Sequence, residues 1–151
     1  VVRDITSTPA NQVVVGVDGS PASLVALREA FAQAKLRGAS LLMVHAWSTS
    51  FAGTLGISGQ YFDRVRASEV DEGWALLNQS LEELQATDQS VEIIERLEQG
   101  SPAAAIIEAS KEAVLTVVGS RGRGGFAGLV LGSVSGSVLA HADSAVMVIR
   151  A

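Results

Sequence analysis

Asn11-Gln12-Val13-Val14-Val15-Gly16-Val17-Asp18-Gly19-Ser20-Pro21 changes character partway along, and that change decides the fold class. Residues 11–17 are rich in β-branched side chains, lack a helical period and are bounded by turn formers, which predicts a buried strand. Asp18-Gly19-Ser20-Pro21 then supplies a turn and a helix start. Ser20 can cap the helix, and Pro21 suits its first turn, where the lost N–H would have been unpaired anyway. Leu24, Leu27, Phe31 and Ala34 recur at helical spacing until Gly38 stops the run.

The same strand–turn–helix unit repeats outward from this stretch. Residues 41–46 (LLMVHA) predict a second buried strand, and 47–60, rich in Gly, Ser and Thr, a long loop. A long helix is expected over 62–86, with Val65, Leu77, Leu81 and Leu84 facing inward and Gly73 weakening it locally. Residues 91–97 (VEIIERL) predict a third strand, polar enough to lie near an edge. Gly100-Ser101-Pro102 repeats the Ser-Pro start and opens a helix to about residue 112 that buries Ile106 and Ile107. A fourth strand over 115–118 runs into a glycine-rich segment; a short helix over 133–140 and a last strand, 145–150 (AVMVIR), follow. Strands alternating with helices imply parallel pairing through right-handed crossovers and a sheet covered on both faces: an α/β, doubly wound fold.

The chain of 151 residues suits one domain, expected over 11–151, with 1–10 as a flexible arm. With 48% hydrophobic and 18% charged residues it has the composition of a folded globule. A net charge of -5 gives no general attraction to nucleic acid or anionic lipid. The absence of cysteine excludes disulfides, thiolate chemistry and Cys-based metal sites. No apolar run approaches the roughly 18 residues of a membrane span, and the first ten residues hold no apolar signal core, so a cytoplasmic protein is expected.

Chemistry in such a sheet belongs beyond the carboxyl ends of the strands. Three elements fall there: Asp18, the His45-Ala46-Trp47 turn, and the segment Gly119-Ser120-Arg121-Gly122-Arg123-Gly124-Gly125-Phe126-Ala127-Gly128-Leu129-Val130-Leu131-Gly132-Ser133. That segment lies in a stretch, 113–136, which has two arginines, no acid and seven of the fifteen glycines, so it is both basic and able to approach an anion closely. Gly132 and Ser133 precede a helix whose positive end favours phosphate. The segment reads as a phosphate cradle or as a surface loop, with Arg121 and Arg123 as phosphate contacts or solvated charges. The only lysines, Lys35 and Lys111, lie outside it, so it is not a Walker loop. Gly122-x-Gly124-x-x-Ala127 imitates a dinucleotide fingerprint but comes too near the chain's end. No nucleophile elbow is present, and His45 and His141 stand far apart in sequence. Asp18 suits a general base, a ribose-binding carboxylate or a plain turn residue.

These residues resemble the universal stress protein family from about Asn11 to Arg150. VVVGVDGSPAS and LLMVHAW look like the family's first strand, helix and second strand, and AVMVIR is similar to its last strand. More specific is Gly-x2-Gly-x9-Gly-Ser/Thr, the signature of the ATP-binding branch, met at Gly119, Gly122, Gly132 and Ser133. The resemblance implies a five-stranded parallel sheet in a Rossmann-like order (adenine nucleotide alpha hydrolase-like), homodimerisation, and an adenine nucleotide at the strand ends. Carried over by residue, Asp18 contacts the adenosine part and the Ala46 backbone meets the adenine. Gly119, Gly122, Gly132 and Ser133 hold ribose and phosphates, and Ser133 offers an oxygen to any magnesium that ATP brings. The family often carries an acid before its fourth strand, where Val114 stands here; that departure is expected to alter a local turn rather than the site.

The apolar strand 145–150 would invite aggregation as an open edge, and pairing with its copy in a homodimer would remove the hazard. The leading expectation is a non-catalytic or very slow ATP-binding stress-response regulator whose nucleotide alters its conformation or its binding of a protein partner. The alternatives are a slow ATPase or autokinase using Asp18, and a cyclic AMP sensor or buffer.

Overall fold

The structure, a computed structural model, describes residues 11–49, 55–56, 59–121 and 131–150. Its elements, in chain order, are β1 (Gln12–Gly16), α1 (Pro21–Arg37), β2 (Ser40–Trp47), α2 (Gln60–Gln85), β3 (Ile93–Gln99), α3 (Pro102–Ser110), β4 (Leu115–Gly119), α4 (Ser133–His141) and β5 (Ala145–Ile149). All strand pairs are parallel, in the order β3-β2-β1-β4-β5. The expected doubly wound α/β sheet is therefore present, with five strands. The arm at 1–10 and most of the loop at 48–60 lie outside the described residues.

Burial explains the sequence pattern strand by strand. β1 is central and covered on both faces, so Val13, Val14 and Val15 are all 0% exposed and the strand reads as an unbroken apolar run. Val13, Val15, Leu41 and Met43 pack with Leu27, Ala30 and Ala34 of α1 and Leu77 and Leu84 of α2 on one face. Val14, Leu42, Val44 and Val118 pack with Ile106 and Ala109 of α3 and Val138 of α4 on the other. β3 is an edge strand, as its polarity predicts, and its Ile94 is 39% exposed.

Two elements, β3 and α3, depart from their expected bounds for local reasons. β3 starts and ends two residues later than its apolar run, and its end is set by the Gly100 N–H, which donates to the Trp47 carbonyl (2.8 Å) and carries the ladder to the end of β2. α3 stops at Ser110, whose buried Oγ donates to the Ile107 carbonyl (2.6 Å) and accepts from the Asp143 N–H (3.0 Å). Gly73 does not interrupt α2. A Cβ there would lie 2.6 Å from Leu97 Cδ1 and 3.3 Å from the His45 ring, so the glycine is where the helix settles onto β2 and β3. Among the described residues no helix is long and apolar enough to cross a membrane.

Candidate functional site

The chain builds β1, β2 and β3 outward in one direction and then returns across β1 to lay down β4 and β5. Strand order therefore reverses between β1 and β4. Helices on opposite faces leave those two strand ends, so a crevice opens between them. The crevice is lined by Gly16 at the end of β1 and Val17 and Asp18 after it, by Val44, His45 and Ala46 of β2, by Ile106 of α3, and by Val118, Gly119 and Arg121 at the end of β4. It encloses about 530 Å³ of empty space, its open mouth included.

At the β1 end the chain satisfies its own turn. The Ser20 N–H donates to Asp18 Oδ1 (2.8 Å) and the Asp18 N–H to Ser23 Oγ (3.3 Å). Ser20 Oγ caps α1 by accepting from the Ser23 N–H (3.2 Å). Gly19, at φ +78°, takes the left-handed conformation that this tight turn needs. Asp18 is thereby fixed, half-buried, at the lip of the crevice.

At the β2 end a donor and an acceptor are left open among the described residues. Ser40 donates its N–H to the Asn11 carbonyl (3.0 Å), and the Val44 carbonyl accepts from the Val17 N–H (2.9 Å), so even-numbered residues of β2 turn their backbone groups towards β1. Odd-numbered ones face β3: the Leu41 N–H donates to the Glu92 carbonyl (2.9 Å) and the Trp47 carbonyl accepts from Gly100. Ala46 thus turns its N–H and C=O to the side where β1 ends at Gly16. The next rungs, Ala46 N–H to the Val17 carbonyl and Gly19 N–H to the Ala46 carbonyl, are not formed among the described residues. The Val17 carbonyl lies instead 2.7 Å from His45 Nδ1.

At the β4 end the glycine segment is pinned at its base. The Ser120 carbonyl accepts from the Gly132 N–H (2.7 Å) and from the buried Ser135 hydroxyl (3.0 Å). Gly132 caps α4 and has no side chain to bond the helix's first N–H groups, and Ser133 is exposed at the first helical position. Gly119 has a role the sequence did not disclose. A Cβ there would lie 3.1 Å from the carbonyl carbon, oxygen and Cβ of Ala22, so the glycine lets the start of α1 close on β4.

The structure thus brings Asp18, Ala46, Gly119 and Arg121 to one crevice and anchors Gly132 and Ser133 beside the end of β4. Gly122 and Arg123 lie outside the described residues. Sequence reasoning missed Gly16 and gave Ile106 only a core role. A Cβ on Gly16 would meet Ile106 Cδ1 at 2.5 Å, so α3 packs directly over β1 and forms an apolar wall. A glycine interrupting a β-branched run was the available signal. His141 closes α4, bonded to its own Ser137 carbonyl (3.0 Å), and His45 serves β1; among the described residues no group of three or more His, Asp or Glu could hold a metal.

Residues 10–150 match the model of the universal stress protein family. The chain is 41% identical over 138 residues to a universal stress protein of Mycolicibacterium smegmatis, covering 91% of this chain and 45% of that protein. It spans about half the length of the curated relatives it matches. A universal stress protein from Lactobacillus plantarum shares the fold at 22% identity, with a TM-score of 0.77 over 95% of this chain and 100% of that one. A universal stress protein solved in complex with cAMP is 28% identical, with a TM-score of 0.68 over 95% and 98% of the two chains.

Proposed function

The chain belongs to the universal stress protein family, and we propose that it binds an adenine nucleotide, ATP foremost, in the crevice between β1 and β4. The observation that carries this reading is the open backbone pair of Ala46 above an apolar wall. Adenine presents a ring-nitrogen acceptor beside an amino donor on one edge, and a backbone N–H and C=O from a single residue match that pair. Val44, Ile106 and Val118 supply the apolar surface a base needs, and Asp18 stands where a ribose hydroxyl can donate to it. The phosphates then run towards the uncapped start of α4, where first-turn N–H groups and the helix dipole favour anions. Arg121 adds a positive charge at the mouth. If ATP arrives with magnesium, the exposed Ser133 hydroxyl is the oxygen on this chain placed to share it.

Turnover is not what this arrangement supports. It lacks a lysine for the terminal phosphates, and we assign it nucleotide-dependent conformation or partner binding in the cytoplasm rather than phosphoryl transfer. The protein acts as a homodimer through β5. That strand pairs with β4 on one side, its other side has no strand partner among the described residues, and Val146 to Ile149 are only half-buried. A twofold axis across the edge would pair two β5 strands antiparallel and remove the hazard of an open apolar edge. Sedimentation at micromolar concentration should give twice the chain mass; a monomer mass would reject the dimer.

The second reading, a cyclic AMP sensor, gains weight from the relative solved with cAMP, because the Ala46 edge reads the base and not the phosphate count. Denaturing the purified protein, identifying any released nucleotide by mass spectrometry, and titrating ATP and cyclic AMP into the emptied protein separates the readings. Preference for ATP supports the first and preference for cyclic AMP the second. Binding of neither returns the crevice to a structural role.

A further inference from the structure

By the alternation of β2, His45 shares with Leu41 and Met43 the sheet face covered by α1 and α2, and it borders the crevice beside Ala46. Its ring is held from two directions. A Cβ on Gly73 of α2 would come within 3.3 Å of its Cδ2, and its Nδ1 lies 2.7 Å from the Val17 carbonyl. A carbonyl oxygen only accepts, so Nδ1 carries the hydrogen and donates it. That carbonyl is the acceptor which regular parallel pairing would give to the Ala46 N–H, since Ser40 makes the same kind of bond to Asn11 and the Val17 N–H bonds back to Val44.

We propose that His45 is a positioning residue for the base-binding edge: its ring occupies the Val17 carbonyl in place of the Ala46 N–H, and so keeps the Ala46 donor and acceptor open to a ligand. The inference rests on the adenine-nucleotide reading for the ligand's identity, but its structural half concerns the ligand-free protein alone. A buried carbonyl deprived of its donor takes the nearest one. Without the imidazole that donor is the Ala46 N–H, and β1–β2 would zip by one more rung across the binding edge. Gly73 matters for the same reason, because a helix held further out would leave the ring free to turn away from Val17.

The experiment compares wild type with His45→Leu, which removes the donor, and His45→Asn, whose amide nitrogen sits where Nδ1 does. His45→Gln, whose amide reaches the Nε2 position instead, replaces the leucine variant if that one fails to fold. Amide exchange at Ala46, followed by NMR without ligand, should be fast in wild type and His45→Asn and slowed about tenfold or more in His45→Leu or His45→Gln. Calorimetry with ATP and ITP, whose hypoxanthine edge reverses the donor and acceptor, should show the preference for ATP collapsing in the same variants and surviving in asparagine. A purely structural histidine would lower stability without moving the ATP-to-ITP ratio or gaining rescue by asparagine. Unchanged Ala46 exchange in the folded leucine or glutamine variant overturns the proposal. Slowed exchange in a protein whose wild type ignores both nucleotides upholds the spacing role and sinks the adenine reading instead.

Discussion

The starts of α1 and α4 flank the same crevice and are built in opposite ways. α1 is closed by its own sequence: Ser20 caps it, Asp18 Oδ1 takes the Ser20 N–H, and Pro21 removes a donor that would otherwise need a partner. α4 begins at Gly132 with no side-chain cap, and the Gly132 and Ser135 donors point back to the Ser120 carbonyl to hold the helix end in place. One helix start is finished, and presents a carboxylate. The other is rigidly placed but unfinished, and presents N–H groups. A nucleotide needs both, a ribose acceptor at one end and an anion site at the other, and the reversal of strand order puts the two side by side.

The largest expected effect comes from forcing the two starts apart. Gly119→Ala puts a methyl 3.1 Å from the backbone of Ala22, so α1 or β4 must give by about a few tenths of an ångström. The variant should lose about 2 kcal/mol of stability in chemical denaturation and bind ATP at least about tenfold more weakly by calorimetry. Wild-type stability would show that the contact is soft. Finishing α4 breaks the comparison directly. Gly132→Asp adds a cap and a negative charge where a Cβ has tolerable room, 3.4 Å from the Ser120 carbonyl oxygen. Its free energy of unfolding should hold or rise by about a few tenths of a kcal/mol while ATP affinity falls about tenfold; affinity and stability moving together would count against an anion site there.

Ser20→Ala makes α1 as open as α4. It should cost about 1 kcal/mol in thermal melts and weaken ATP binding less than the changes on the α4 side. The smallest effect lies far from either start. Glu95 shares the α2-facing side of β3 with Ile93 and Leu97, its Oε2 is buried without a hydrogen-bond partner among the described residues, and burial raises its carboxyl above the ordinary range. A raised value means that the fold prefers the protonated acid, so the group favours the fold most below the usual carboxylate range and loses that contribution as pH rises through the raised value. Glu95→Gln should therefore gain about 0.5 kcal/mol at pH 7, with no gain near pH 4 and no change in ATP affinity. A gain at pH 4 as large as at pH 7 would contradict the burial argument.

The two halves of this comparison were unequally legible. Asp18-Gly19-Ser20-Pro21 announces its turn and cap locally, because every partner lies within five residues. The central strands were legible for a related reason: full burial on both faces leaves unbroken apolar runs at Val13–Val15 and Leu41–Val44. β3 runs two residues beyond its apolar stretch, since an edge strand is polar and its end is set by a rung to Trp47 rather than by its own side chains. The glycine pattern points to the crevice that the reversal of strand order opens, and what it does not show is that Gly119 also lets the backbone of α1 close on β4. The Ala46 edge emerged from a resemblance alone. Its physical basis, where β1 stops and which carbonyl His45 takes, exists only once strands distant in sequence are side by side.

The most direct measurement follows backbone amide shifts by NMR as ATP is titrated into nucleotide-free protein. Saturable changes are expected at three places together: Val17–Gly19, Ala46, and Ser133–Ser135 at the start of α4. Saturation without movement at Ala46 and α4, or shifts confined to another face, would contradict a nucleotide held between the finished and the unfinished helix starts.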